Sequence, residues 1–226
     1  MTADARWARW LGAAFVAQFI TGIVAEILAW PVTSGRISAV LVSITHHAVQ
    51  IRLDVLANAA TWVGVIVMTS LLYVILRGRC KPVALVALIL WTAEVTLSVV
   101  GVVGLYALLT LSADFVRAGA PATSHYQTIG TLLVGFEQHA VDLSLVFFSL
   151  GALLWYALIF TSRLVPQALS GWGLLAVLPV VAGALLMVWS HSLRVPPVLD
   201  LPYLPFELVI GLWLLVSGAS PAFRTT

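Results

Sequence analysis

The stretch Pro82–Leu111, PVALVALILWTAEVTLSVVGVVGLYALLTL, decides the fold. Its only charged side chain is Glu94. About 20 apolar residues in a helix cross roughly 30 Å of hydrocarbon, so this run spans a bilayer with length left over to tilt or to project. The whole chain is built the same way: 62% of its residues are hydrophobic and 9% charged, and the mean hydropathy is +1.07. A soluble domain carries about 25% charged residues. A chain of 226 residues this poor in charge cannot cover a globular surface with polar groups, so its solvent is largely lipid.

Five further runs meet the same criterion of length and hydropathy: Leu11–Trp30, Asp54–Leu76, Leu132–Phe160, Leu169–Trp189 and Leu201–Val216, the last being the shortest. The expected fold is all-α, a polytopic membrane helix bundle of about six transmembrane helices forming a single domain over residues 1–226. Residues 37–52 alternate apolar and small polar side chains too irregularly for a span and are expected along the interface. Pro179 is expected to kink the fifth span unless neighbouring helices satisfy the carbonyl it frees. Arg6 and Arg9 ahead of an apolar run resemble a signal peptide, but the run continues to Trp30 without a small-x-small cleavage site, which reads as an uncleaved first span.

The net charge of +2 is spread in ones and twos, so no nucleic-acid face is visible. Cys80 is the only cysteine, which excludes an intrachain disulfide and a cysteine-based metal cluster. With the N-terminus inside, Arg6, Arg9, Arg77, Arg79, Lys81, Arg163 and Arg224 face the cytoplasm; Arg36, Arg52, Arg117 and Arg194 fall outside. That excess predicts a multi-pass membrane protein with both termini cytoplasmic.

On this topology the acids and histidines gather on one side. Only Asp4 of the nine acids is cytoplasmic, and His46, His47, His125, His139 and His191 lie outside or in the outer half of the spans. A charge at the centre of a span costs about 2.5–3.5 kcal/mol on insertion scales, so such residues normally face a bundle interior or a wet cavity. His46, Gln50, Asp54 and Asn58 step by four, and His139 and Asp142 by three, which places each set on one helix face. The pattern predicts a polar cavity open to the outer side. Glu94, Asp142 and His139 are its candidate catalytic residues. Trp91, Glu26, Asp54, Asn58, Trp62, Trp213 and Glu207 are the candidate substrate-binding residues. Plainer readings stand beside these: Asp54 and Glu207 as helix caps or snorkelling groups, Glu26 as a structural bridge to Arg36 or Arg52, His46 and His47 as solvated loop residues, and the tryptophans as packed core or lipid-facing rings.

Three stretches carry a likeness: Leu111–Pro121 (LSADFVRAGAP), Phe148–Leu175 (FSLGALLWYALIFTSRLVPQALSGWGLL) and Leu204–Gly218 (LPFELVIGLWLLVSG). In order and spacing they resemble the bacterial membrane family catalogued as domain of unknown function 4386, with the SRLVP–LSGWG join the most specific part. The resemblance implies a six-helix membrane protein and no established activity. It also implies an arginine three residues before the acid that matches Glu94; here that position is Trp91, so the internal ion pair of the family pattern is missing.

Two functions from different classes fit. One is an enzyme acting on an isoprenoid-like substrate, with Glu94 or Asp142 as general acid for cyclisation or isomerisation and the Trp91 face stabilising a cation. The other is a small-molecule transporter, sensor or binding protein. His139 with Asp142 and His46 or His47 would suit zinc or iron, a third and weaker signal. The expected partners are membrane lipid and a hydrophobic small molecule, with no cofactor and no nucleic acid.

Overall fold

The computed structural model describes residues 3–33, 35–121, 125–189 and 202–224. Among them every regular element is a helix: α1 (Ala3–Thr33), α2 (Ile37–His46), α3 (Ala48–Leu76), α4 (Lys81–Arg117), α5 (His125–Ser162), α6 (Gln167–Trp189), α7 (Tyr203–Ser217) and α8 (Pro221–Arg224). His191, Arg194, Asp200 and most of the proline-rich lead into α7 lie outside the described residues. Among the described residues five helices are long and apolar enough to cross a membrane: Arg6–Ala29 within α1, then α3, α4, α5 and α6. The protein is an all-α membrane protein. The sixth run becomes α7, whose 15 residues rise about 22 Å, short of a full hydrocarbon layer.

Residues 37–52 divide differently from the expectation. Ile37–His46 form a separate amphipathic helix that buries Val40, Leu41 and Ile44, the chain turns at His47, and Ala48 already starts α3. The ladder His46, Gln50, Asp54, Asn58 is therefore split, its first member on α2 and the rest on α3. Pro179 sits inside a helix that runs on to Trp189, with Ala176, Val177 and Val180 buried around it.

The long helices end with defined geometry. Gly119 and Ala120 take left-handed φ values of 81° and 47° after α4; Gly119 N–H donates to Val116 O and Ala120 N–H to Phe115 O. After α5, Arg163 is left-handed at φ 56°, with Arg163 N–H on Phe160 O and Leu164 N–H on Ile159 O. Both are Schellman endings. A left-handed arginine costs about 1–2 kcal/mol, and complete burial of Leu164 and Val165 just beyond it offsets that. Leu164 O also accepts from Ser220 N–H at 2.9 Å, tying the α5–α6 join to the C-terminal segment.

The chain packs as two compact units, one of Met1–Phe19, Trp62–Val95 and Asp142–Thr226, the other of Ile20–Thr61 and Thr96–Val141. The first has a core of Phe15, Met68, Leu72, Trp91, Trp155, Tyr156 and Phe206. There α1 and α7 meet almost backbone to backbone: a Cβ on Gly12 would lie 2.7 Å from Gly211 O. Only glycine permits that approach. The second unit has a smaller core of Val40, Leu41, Ile44, Ile51, Leu105, Leu108 and Phe115.

Candidate functional site: the buried Glu207 network

The sequence-predicted residues divide between the two units. Glu94, Trp91, Asp142, Trp62, Trp213 and Glu207 belong to the first; Glu26, Asp54, Asn58 and His139 belong to the second.

In the second unit Asp54 is 1% exposed. Asn58, one turn on, donates to its Oδ1 at 2.8 Å. Gln50 donates to Leu28 O at 2.8 Å, and Thr61 to Thr21 Oγ1 at 2.8 Å, so these two side chains of α3 hold α1. Glu26 and Glu137 lie within electrostatic range of Asp54. Glu26 is exposed and, among the described residues, forms no ion pair with Arg36 or Arg52; Asp114 pairs with Arg117 at 2.9 Å. His46, His47 and His139 are exposed. Among the described residues no group of three or more His, Cys, Asp or Glu side chains is arranged to hold a metal ion.

In the first unit Trp91 is completely buried. Its Nε1–H donates to Phe148 O at 3.0 Å, and its ring stacks on Phe148 with centroids 5.9 Å apart and planes within 6°. The indole fits because position 151 has no side chain; a Cβ there would run into Trp91 Cδ1 and lie 2.8 Å from Nε1. The position at which the resemblance implies an arginine thus holds a packed ring with its own partners. Glu94, one turn on, is half-buried and is not left without an interaction. Asp142 is half-buried. With Trp91 level with Gly151 on antiparallel α4 and α5, Glu94 is level with Phe148. Asp142 is six residues farther along α5, about 9 Å by helical rise. Trp62 and Trp213 are half-buried against the core.

Glu207 has the most developed surroundings. It is 8% exposed, and each carboxyl oxygen has its own donor: Tyr203 O–H to Oε1 at 2.7 Å and Gln18 Nε2–H to Oε2 at 3.3 Å. The hydroxyls of Tyr156 and Tyr203 are 2.7 Å apart. With Tyr203 donating to Glu207, Tyr156 O–H donates to Tyr203 Oη, and a chain of O–H groups converges on the carboxyl. Gln18 comes from α1, Tyr156 from α5, and Tyr203 and Glu207 from one face of α7, a turn apart. Aromatic rings wall the chain: Phe206 lies edge-on to Tyr156 at 4.9 Å and to Trp172 at 5.8 Å, and Phe148 edge-on to Tyr203 at 5.6 Å. Trp172 is held by its N–H on Pro202 O at 3.1 Å.

Two of the three stretches that carried the likeness converge here. Phe148, Tyr156 and Trp172 come from one, Phe206 and Glu207 from the other. The family described as a domain of unknown function, DUF4386, matches residues 10–218. The chain belongs to this family. The DUF4386 match extends from Trp10 to Gly218 and so includes every residue of the Glu207 network. No curated protein and no solved structure matches the chain.

Reading residues singly found Glu207 and missed its network. Tyr203 was findable, since a phenol one turn before a carboxylate on a helix is a recognisable pair. Tyr156 and Gln18 lie 47 and 189 residues from their partners, and no local signal in the chain joins them.

Proposed function

We propose that this membrane protein binds a small hydrophobic molecule and couples its binding or movement to protonation of Glu207, as a transporter or sensor does. The observation that carries this reading is the full occupation of both Glu207 oxygens by donors on helices α1 and α7, inside an aromatic wall. An ionised carboxylate is acceptor-only and matches two donors; a protonated one must donate through one oxygen. Taking up a proton adds an O–H that needs an acceptor of its own and weakens the carboxyl as an acceptor, which favours a turn of the Gln18 amide or a looser contact. That makes the α1–α7 junction a two-state element which a ligand can bias. A general acid, by contrast, must come within about 2.6–3.2 Å of the atom it protonates, and the oxygens of Glu207 are already engaged.

The reading places the protein in the bacterial inner membrane with both termini cytoplasmic, in keeping with its basic residues. Farnesol, a hydrophobic isoprenoid alcohol, is the probe: it is added to the protein in lipid nanodiscs while a pH-sensitive dye follows proton uptake or release. The parent should exchange protons on binding, and Glu207→Gln should bind without doing so. Proton exchange unchanged in Glu207→Gln would sink the proposal.

An acid-catalysed cyclisation or isomerisation is the second reading. It is favoured by the half-burial of Glu94 and Asp142, two carboxyls set in apolar helices. It requires Glu94→Gln or Asp142→Asn to abolish conversion of an isoprenoid panel that the parent converts.

A further inference from the structure

The N-terminal part of α1 and the facing part of α3, both in the first unit, border an open slot that the Glu207 network does not use. Trp7, Trp10, Ala13, Ala14 and Ala17 form one side and Gly64, Val67 and Leu71 the other, around a volume of about 450 Å³. Four of these eight residues are alanine or glycine, so the side chains leave room between the helices, and the lining is almost wholly apolar. Its extent along α1, from Trp7 to Ala17, is about 15 Å at helical rise. That is half of a hydrocarbon core of roughly 30 Å, the depth of one leaflet.

The mouth of the slot is basic. A second hollow of about 290 Å³, lined by Arg6, Arg9, Trp10, Ala13 and Leu215, shares Trp10 and Ala13 with the slot. Arg9 is positioned by an N–H to Val216 O at 3.4 Å. Trp10, 65% exposed, stands between the two hollows; tryptophan settles at the headgroup level of a bilayer. A Cβ on Gly64 would lie 2.8 Å from Gln18 Cβ, which fixes the antiparallel register. Ten residues back along α1 then correspond to ten onward along α3. Arg77, Arg79 and Lys81, just past the end of α3, are thus at the same end as Arg6 and Arg9. An apolar slot one leaflet deep, closed by interfacial tryptophans and opening onto a cluster of cations, has the chemistry of an anionic amphiphile.

We propose that this slot seats one phospholipid with an anionic headgroup, its acyl chain between α1 and α3 and its phosphate against Arg6 and Arg9. The charge complementarity selects the headgroup, and the small side chains admit the chain.

The test uses full-length protein in nanodiscs of equal parts phosphatidylcholine and phosphatidylglycerol, with retained lipids counted by native mass spectrometry. The parent should keep phosphatidylglycerol over phosphatidylcholine. Arg6→Gln with Arg9→Gln should weaken that retention about thirtyfold, the contribution of two basic side chains at a leaflet surface. The paired lysine replacements should largely restore it. Ala13→Leu, which fills the slot and leaves the arginines in place, should lose the lipid too. Equal retention of both lipids by the parent would overturn the proposal, as would retention unaffected by Ala13→Leu, which would indicate a diffuse charge effect. Displacement of the lipid by soluble glycerol phosphate would also overturn it, since the site would then be one for free phosphate.

Discussion

Tyr203→Phe tests whether the Glu207 network is the organising feature of the first unit. The substitution keeps the ring and removes one hydroxyl, which makes two bonds of 2.7 Å, one to Glu207 Oε1 and one to the Tyr156 hydroxyl. Interhelical side-chain hydrogen bonds in membranes are worth about 0.6 kcal/mol on average, and a buried hydroxyl left without a partner costs about 1–3 kcal/mol. Tyr203→Phe loses both bonds, leaves Glu207 Oε1 without its phenol donor and orphans the fully buried Tyr156 hydroxyl, so it should cost about 3 kcal/mol. Tyr156→Phe loses one bond and orphans no donor, at about 0.6 kcal/mol. The double variant loses both bonds and still strips Glu207 Oε1 of its donor but leaves no stranded phenol, at about 2 kcal/mol, less than Tyr203→Phe alone. Unfolding by dodecyl sulfate, followed by far-UV circular dichroism, measures all three. Strict additivity, or a Tyr156→Phe loss equal to that of Tyr203→Phe, would refute the chain as drawn.

Gly151→Ala should destabilise the protein by about 2–4 kcal/mol in the same assay, because the new methyl drives the Trp91 ring off Phe148 O and adds overpacking to a lost hydrogen bond; a loss below about 0.5 kcal/mol would show that the ring has room to move. Cysteines at Glu94, His139 and Asp142 in a Cys80→Ser background should react with a small maleimide supplied from outside, whereas one at Leu153, packed against the core, should not. If Glu94 and Asp142 react only in denaturant, they are dry structural acids. Reporter fusions after Gly78 and Gln167 should read cytoplasm and one at Gly119 the outside, and reversed signals would invert the topology.

The fold class was legible in the chain because a bilayer imposes a length and a composition on anything that crosses it, and both are one-dimensional properties. Pro82–Leu111 meets both, as five other runs do, and α4 contains the whole of it. The SRLVP–LSGWG join was legible as a family signature, and the structure supplies its reason: left-handed Arg163 ends α5, and the Leu164 carbonyl then receives Ser220 N–H. The α2–α3 boundary was not legible, since the apolar and polar positions of 37–52 change phase at His47 instead of following one period. Glu94, Asp54 and Glu207 stood out because a carboxyl in an apolar run is costly wherever it ends up. What each carboxyl meets was decided by tertiary structure: Asp54 finds Asn58 on its own helix, while Glu207 gathers Gln18 from α1 and, through Tyr203, Tyr156 from α5. Hydropathy is a sum along the chain and can be read there. Hydrogen bonding depends on which faces of separate helices meet, and glycines such as Gly12 and Gly211 set that by where they let two backbones touch.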